Sequence, residues 1–178
     1  MTPEEYVQLK AFARQDGALL SLLWISGFIC YVQGLTSQLM GVAAMLLIVV
    51  SPFFAANRLR HFRDEAREGV ISFRRGYAYT IFTYFYAGLL LAAVLYIYFA
   101  FIDGGYLIGK LTETMTSDAG RQAMQSYGMA DQLEDSLHEL AEMRPIDFAL
   151  NMLTINIMTG FLLGVPIAAL MQRNLVKN

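Results

Sequence analysis

Apolar positions gather into four long runs, about 18–33, 38–56, 77–102 and 146–171, with polar residues concentrated between them. A hydrocarbon layer of about 30 Å takes roughly 20 helical residues at 1.5 Å each, so each run reads as one membrane-spanning helix. The first run is short for this and must borrow length from its flanks. Thr2-Pro3-Glu4-Glu5 encodes a helix start: a threonine cap, proline at the first helical position, and a glutamate placed to close a capping box. Tyr6, Leu9 and Ala13 then recur at helical spacing, with Glu5, Gln8, Lys10 and Arg14 largely elsewhere around the turn. These first turns are therefore expected to ride the membrane interface. Gly34-Leu35-Thr36-Ser37 is a short uncharged turn, which makes the first two spans an antiparallel hairpin. Pro52 is expected to bend the second span.

The third run carries aromatic clusters at both ends. Tyr77, Tyr79, Phe82, Tyr84, Phe85 and Tyr86 form one, and Tyr96, Tyr98, Phe99 and Phe101 the other. They fit two interfacial belts, since ring and hydroxyl suit the membrane boundary. A tyrosine-lined substrate path is the sharper alternative.

Charge then orients the chain. Residues 57–76 form a loop carrying Arg58, Arg60, Arg63, Arg67, Arg74 and Arg75, and arginine is costly to move across a bilayer. With Lys10, Arg14, Arg173 and Lys177 on the same side, this loop and both termini are expected in the cytoplasm. The 103–145 segment is acidic and would lie outside. Within it, Met129, Leu133, Leu137, Leu140 and Ala141 form an apolar stripe, and Asp131 with Glu134 resembles a second capping box. A short helix over about Asp131 to Met143 follows, with a weaker helical pattern over Tyr106 to Met115 and a bend over Gly120 to Gly128. The fold class is thus an all-α integral membrane protein. It is a single domain, 1–178, with four transmembrane helices forming a bundle and a partly helical extracytoplasmic segment between the third and fourth.

Composition agrees with the pattern: 56% hydrophobic residues and 16% charged ones are too apolar for an ordinary soluble domain. The single cysteine, Cys30, excludes an internal disulfide and reads as a small packing residue. No small-x-small site follows the first run, which reads as an uncleaved anchor. His61 and His138 fall on opposite sides of the membrane, and no D-x-D-x-D-G loop, HExxH or nucleophile elbow is present. No metal, cofactor or catalytic residue is expected. Nucleic acid is excluded as a partner because the bases are few, membrane-tethered and interleaved with acids. The central portions of the spans hold no Asp, Glu, Lys or Arg, which weighs against a proton-coupled carrier.

Two constellations remain. Asn156, Gly160, Gly164 and Ala168 are spaced four apart on the fourth span, and Gly88 and Ala92 repeat that spacing on the third. Small residues let helix backbones approach, so spans 3 and 4 are expected to be the tightest pair. Asn156 would hydrogen-bond a neighbouring helix, or contact a polar substrate group. Pro166 is compatible with a gate or a static bend. The six arginines suit anionic head groups on the cytoplasmic side, worth about 1 kcal/mol per basic residue, or a membrane-associated protein partner. A phosphate site is the alternative, without the glycine-rich cradle that such sites use. The glycine face equally permits a homo-oligomer.

The run FRDEAREGVISFRRGYAYTIFTYFYAGLLLAAVLYIYFAFIDGGYL, with its charged turn, Gly-x-Ile-Ser-Phe and closing Phe-Ile-Asp, resembles the four-span Bacteroidota membrane proteins collected as domain of unknown function 4199. Gly128, Met129 and Gln132 resemble its Gly-Met-x-x-x-Gln element, with one residue fewer before the glutamine. The resemblance implies a bacterial inner-membrane protein and supplies no catalytic residues. Genes of this kind often stand beside a polyprenyl-phosphate-type glycosyltransferase, which implies an accessory or anchoring role. The expected function is a non-enzymatic accessory or scaffold protein. The alternatives are a small channel or lipid carrier with a polar path near Asn156, and third an enzyme acting on lipid-linked substrates.

Overall fold

The computed structural model describes residues 2–128 and 130–173. Its long helices are α1 (Pro3–Gly34), α2 (Gln38–Ala66), α3 (Phe73–Ile97) and α7 (Pro145–Met171), with α3 extended by a π-helical turn over Tyr98–Ile102. Between them lie α4 (Tyr106–Thr116), α5 (Asp118–Ser126) and α6 (Ala130–Glu142). All four long helices are long and apolar enough to cross a membrane. The chain is an all-α, multi-pass membrane protein.

The capping box at the start of α1 is formed: the Glu5 N–H donates to Thr2 Oγ1 at 3.2 Å, and the Thr2 N–H donates to Glu5 Oε2 at 3.0 Å. Beyond it the apolar side of the first turns packs on protein. Leu9 and Ala13 are fully buried, because α1 is one continuous helix whose first turns meet the end of α2 and the start of α3. The expected 57–76 loop is likewise mostly helix. Ala55, Leu59 and Phe62 bury one face of α2 as far as Ala66, and α3 begins at Phe73. Only a turn at 67–72 remains, where Glu68 and Gly69 adopt positive φ. Pro52 is thus an interior position of α2.

Helix order follows from which pairs touch. α1 packs along both α2 and α3, α3 packs along both α1 and α7, and α2 meets α7 over a short stretch. That stretch is at the arginine-bearing end, where Leu59, Phe62, Ile167 and Met171 share one core cluster and Arg63 Nη1 donates to the Met171 carbonyl at 3.1 Å. An antiparallel pair of hydrogen bonds between Ile71 and Arg173, 3.0 Å each way, closes the same end. Toward the far end α2 and α7 diverge.

The connection from α3 to α7 is more helical than expected. The proposed bend at Gly120 to Gly128 is instead α5, capped by the Ser117 hydroxyl, and the chain turns at Tyr127 and Gly128 (φ +68°). Met129, Lys177 and the side chains of Asp131, Gln132, Leu133 and Glu134 lie outside the described residues, and with them the second capping box. Asp103 anchors the segment by accepting the N–H groups of Gly105 and Leu107, both at 3.1 Å.

Candidate functional site

The α3–α7 interface is built on a repeating match. Gly88 faces Asn156, Tyr84 faces Gly160, Tyr77 and Thr80 face Gly164, and Gly76 faces Ala168. Each four-residue step up α3 thus meets a four-residue step down α7. A Cβ at Gly160 would lie 2.7 Å from Tyr84 Cβ, so that glycine is required by contact, while one at Gly88 would lie 3.1 Å from Asn156 Cβ, a tight fit that asks Asn156 to give by a few tenths of an ångström. Ala92 is buried on the same helix. Asn156 corrects one expectation: its amide donates at 2.9 Å to the Met152 carbonyl of its own helix, not across to a neighbour. The facing residue is glycine and offers no side-chain partner, whereas the carbonyl one turn back is within reach.

Two aromatic residues assigned to an interfacial belt are also corrected. Tyr79 and Tyr84 are fully buried. Tyr79 stacks on Phe62 at 4.8 Å and donates its hydroxyl to Asp16, which also accepts from Arg58 Nε at 2.6 Å. Asp16 is 1% exposed, so this charge is held inside the protein and matched there by a guanidinium and a phenol. One carboxylate joins three helices, and nothing in the sequence reading had singled it out.

Glu5 does similar work at the surface, pairing with Arg67 at 2.9 Å and Arg75 at 2.6 Å and so tying α1 to the 67–72 turn and α3. Arg63 bonds Asp64 at 2.7 Å besides Met171. Four of the six arginines expected to meet head groups or a partner, Arg58, Arg63, Arg67 and Arg75, are therefore engaged within the chain. Arg60 makes a long exposed pair with Asp64 at 3.6 Å, and Arg74 is exposed. Cys30 is half-buried, and among the described residues no three potential metal ligands converge.

The divergence of α2 from α7 leaves a cleft of about 520 Å³ in the half away from the arginines. α1 supplies Trp24, Gly27, Phe28 and Tyr31, α2 supplies Leu47, Ile48 and Ser51, and α3 supplies Leu91 and Leu95. Phe148, Met152, Ile155, Asn156 and Thr159 of α7 form the opposite wall. α4 and α6 cover its far end with Leu107, Ile108, Leu111 and Leu140. The π-helical turn brings Phe99 into the lining, stacked on Phe148 at 4.4 Å. Ile48 and Ile155 line the cleft yet are 63% and 56% exposed, so it opens sideways between α2 and α7. The outer face of α4 carries a Lys110–Glu113 pair at 2.6 Å, and the hydrogen-bonding carboxylate raises the lysine pKa.

This lining decides what the site can do. Among the described residues, its lining holds no carboxylate, histidine, lysine or arginine. Its size falls within the roughly 300–1,000 Å³ of small-molecule pockets. A polar path near Asn156 had been the alternative expectation. The space beside Asn156 is mostly apolar instead, with Trp24, Tyr31, Ser51, Asn156 and Thr159 the lining residues that carry side-chain polar atoms. The cleft itself was not foreseen, since a gap between two diverging apolar helices leaves no mark in either helix alone.

Among curated proteins and solved structures, none matches this chain. A family described as "Protein of unknown function (DUF4199)" matches residues 15–173, nearly the whole length and every element that shapes the cleft, and the chain belongs to that family.

Proposed function

We propose that the protein is a non-enzymatic accessory protein of the bacterial inner membrane that shelters one apolar lipid chain in its lateral cleft. The observation that carries this reading is an apolar space inside the membrane-spanning part, open to the side and closed at its far end by α4 and α6. A chain already dissolved in the bilayer enters such a space without crossing water. In this reading the arginine-bearing end and both termini are cytoplasmic, as the basic residues favour. The cleft then belongs to the outer leaflet. A membrane-bound enzyme handling lipid-linked material, of the polyprenyl-phosphate glycosyltransferase type, is the matching partner, with Arg60 and Arg74 as the exposed bases available to it or to anionic head groups.

The test uses Trp24, the chain's one tryptophan, which lines the cleft. In bilayers whose acyl chains are brominated near mid-chain, Trp24 emission should be quenched. Filling the cleft with Leu91→Phe and Ile155→Phe should reduce that quenching at least about twofold, because both added rings occupy the space a chain would take. Equal quenching in the filled variant would end the reading. Orientation is checked separately in a Cys30→Ser background. A cysteine replacing Ser126 should react with an impermeant thiol reagent on intact spheroplasts, and one replacing Ser72 should not.

A further inference from the structure

The bases at the arginine-bearing end fall into two groups. Arg58, Arg63, Arg67 and Arg75 are matched inside the chain, whereas Lys10 and Arg14 of α1 have no carboxylate partner among the described residues. The acids of α1 are Glu4, Glu5 and Asp16. Glu5 is held by Arg67 and Arg75, and Asp16 by Arg58 and Tyr79. Glu4 lies six residues before Lys10, about 120° away round the helix. α3, which runs alongside, carries no acid between Phe73 and Ile102.

Lys10 and Arg14 stand one turn apart on a row that begins at Tyr6. Helix side chains lean toward the N-terminus, and Lys10 does so: its Nζ lies 4.6 Å from the centre of the Tyr6 ring. That ring is fixed in turn. It meets Phe82 of α3 edge-on at 5.9 Å, and Phe82 stacks on Tyr86 at 6.4 Å. Tyr86 is pressed against α1, where a Cβ at Gly17 would lie 2.7 Å from the tyrosine Cβ. Three rings thus floor the α1–α3 seam, with Lys10 placed over them and the exposed Arg14 beside it.

Depth identifies the ligand. About 20 residues back from Gly34, where α1 ends, the hydrocarbon layer stops near Arg14. Lys10 is then about 6 Å further out, inside a head-group layer that adds roughly 5–7 Å on each side. Two cations at that level, with no acid between them, match a phosphate that carries net charge. A zwitterionic head group would bring its own cation against them. The rings suit the glycerol and the first methylenes, and the exposed Leu89, seven residues on from Phe82, continues the apolar surface for the chains.

We propose that Lys10 and Arg14, above the floor of Tyr6, Phe82 and Tyr86, bind one anionic phospholipid in the leaflet that surrounds the arginine-bearing end. Both bases donate to its phosphate oxygens, and Tyr6 is a positioning residue that holds Lys10. The site is separate from the cleft, which lies in the other half of the bundle. A lipid held this way stays with the protein on purification, so further anionic lipid acts on the other exposed bases, Arg60 and Arg74.

The full chain, stripped of lipid in mild detergent, is titrated with phosphatidylglycerol and with phosphatidylcholine of the same acyl chains, and bound lipid is counted by native mass spectrometry. The first phosphatidylglycerol should bind at least about tenfold more tightly than the first phosphatidylcholine. Lys10→Gln with Arg14→Gln should abolish most of that preference, with an unfolding midpoint in zwitterionic micelles equal to wild type showing that the variant is folded. Arg60→Gln with Arg74→Gln removes the same charge elsewhere and should preserve it, as should Leu91→Phe with Ile155→Phe, which fills the cleft. Equal affinity for the two lipids, or a preference that survives loss of Lys10 and Arg14, overturns the site. So does a preference that falls equally without Arg60 and Arg74, or one lost when the cleft is filled. Displacement of phosphatidylglycerol by soluble glycerol phosphate at matched concentration overturns its assignment to a lipid.

Discussion

Removing the carboxylate of Asp16 tests what holds the arginine-bearing half together. Asp16 is 1% exposed and takes hydrogen bonds from Arg58 at 2.6 Å and from the Tyr79 hydroxyl. Hydrogen bonds to a charged group contribute about 1.5–3 kcal/mol each, which sets an upper bound near twice that for losing both. Arg58 retains 21% of its side-chain surface and is able to swing its guanidinium toward water, recovering part of the loss. Asp16→Ala should therefore cost about 2–4 kcal/mol. The converse change is harsher: Arg58→Ala strands an ionised carboxylate in the core and should cost about 3–5 kcal/mol. Replacing both by apolar residues of similar length, Asp16→Leu with Arg58→Met, leaves no buried charge and should cost clearly less than the sum of the single variants, a coupling of roughly 2 kcal/mol or more. Unfolding in mixed micelles of rising dodecyl sulfate fraction, followed by Trp24 emission, measures all three. Single variants within about 0.5 kcal/mol of wild type, or a double variant equal to the sum, would refute the view that this pair is a coupled, buried one.

The remaining predictions use the same unfolding assay. Gly160→Ala should destabilise by about 1–3 kcal/mol, because the new Cβ meets Tyr84 Cβ at 2.7 Å; Gly109→Ala in α4, with nothing within 4 Å, should be neutral or gain about 0.5–1 kcal/mol. Gly17→Ala should be at least as harmful as Gly160→Ala, since the Cβ would lie 2.8 Å from the Thr83 carbonyl oxygen, a backbone atom with little freedom to retreat. Anionic lipid should raise the unfolding midpoint of the wild type. Arg74→Gln with Arg60→Gln should remove most of that rise at about 1 kcal/mol per residue, whereas a rise unchanged in the double variant would assign the effect elsewhere.

The four crossings were legible because a long apolar run has one outcome in a bilayer, and the small-residue face on α7 was legible because its four-residue spacing is local to one helix. Its partners were half-legible: Gly88 was singled out, while Gly76 and the bulky Tyr84 that fills the space above Gly160 were not. Asp16 escaped because its partners are 42 and 63 residues away, and a lone acid beside an apolar run looks like a solvent-facing edge. A signal was nonetheless present. Leu9, Ala13, Asp16 and Leu20 fall at steps of four, three and four, so the aspartate interrupts the buried stripe itself. The length of α2 was missed for a related reason. Charge between Arg58 and Glu65 masked Leu59 and Phe62, which continue the helical spacing of Ala55.

The two halves of the molecule differ because different forces close them. At the arginine end, Asp16–Arg58, Glu5–Arg67, Glu5–Arg75 and Arg63–Met171 join four helices through groups that pair poorly with lipid and well with one another. Those contacts bring α2 against α7. At the far end α2 presents Val42, Met45, Leu46 and Val49 outward, and α7 presents Leu150, Ile155 and Met158. In water such surfaces would collapse onto each other. In a bilayer, lipid tails are as apolar as leucine, so no hydrophobic force drives the gap shut. An open cleft at that end is thus compatible with these side chains in a membrane. Bulky Trp24, Phe28, Phe99 and Phe148 along its walls, where small residues would have let the helices close, keep it open.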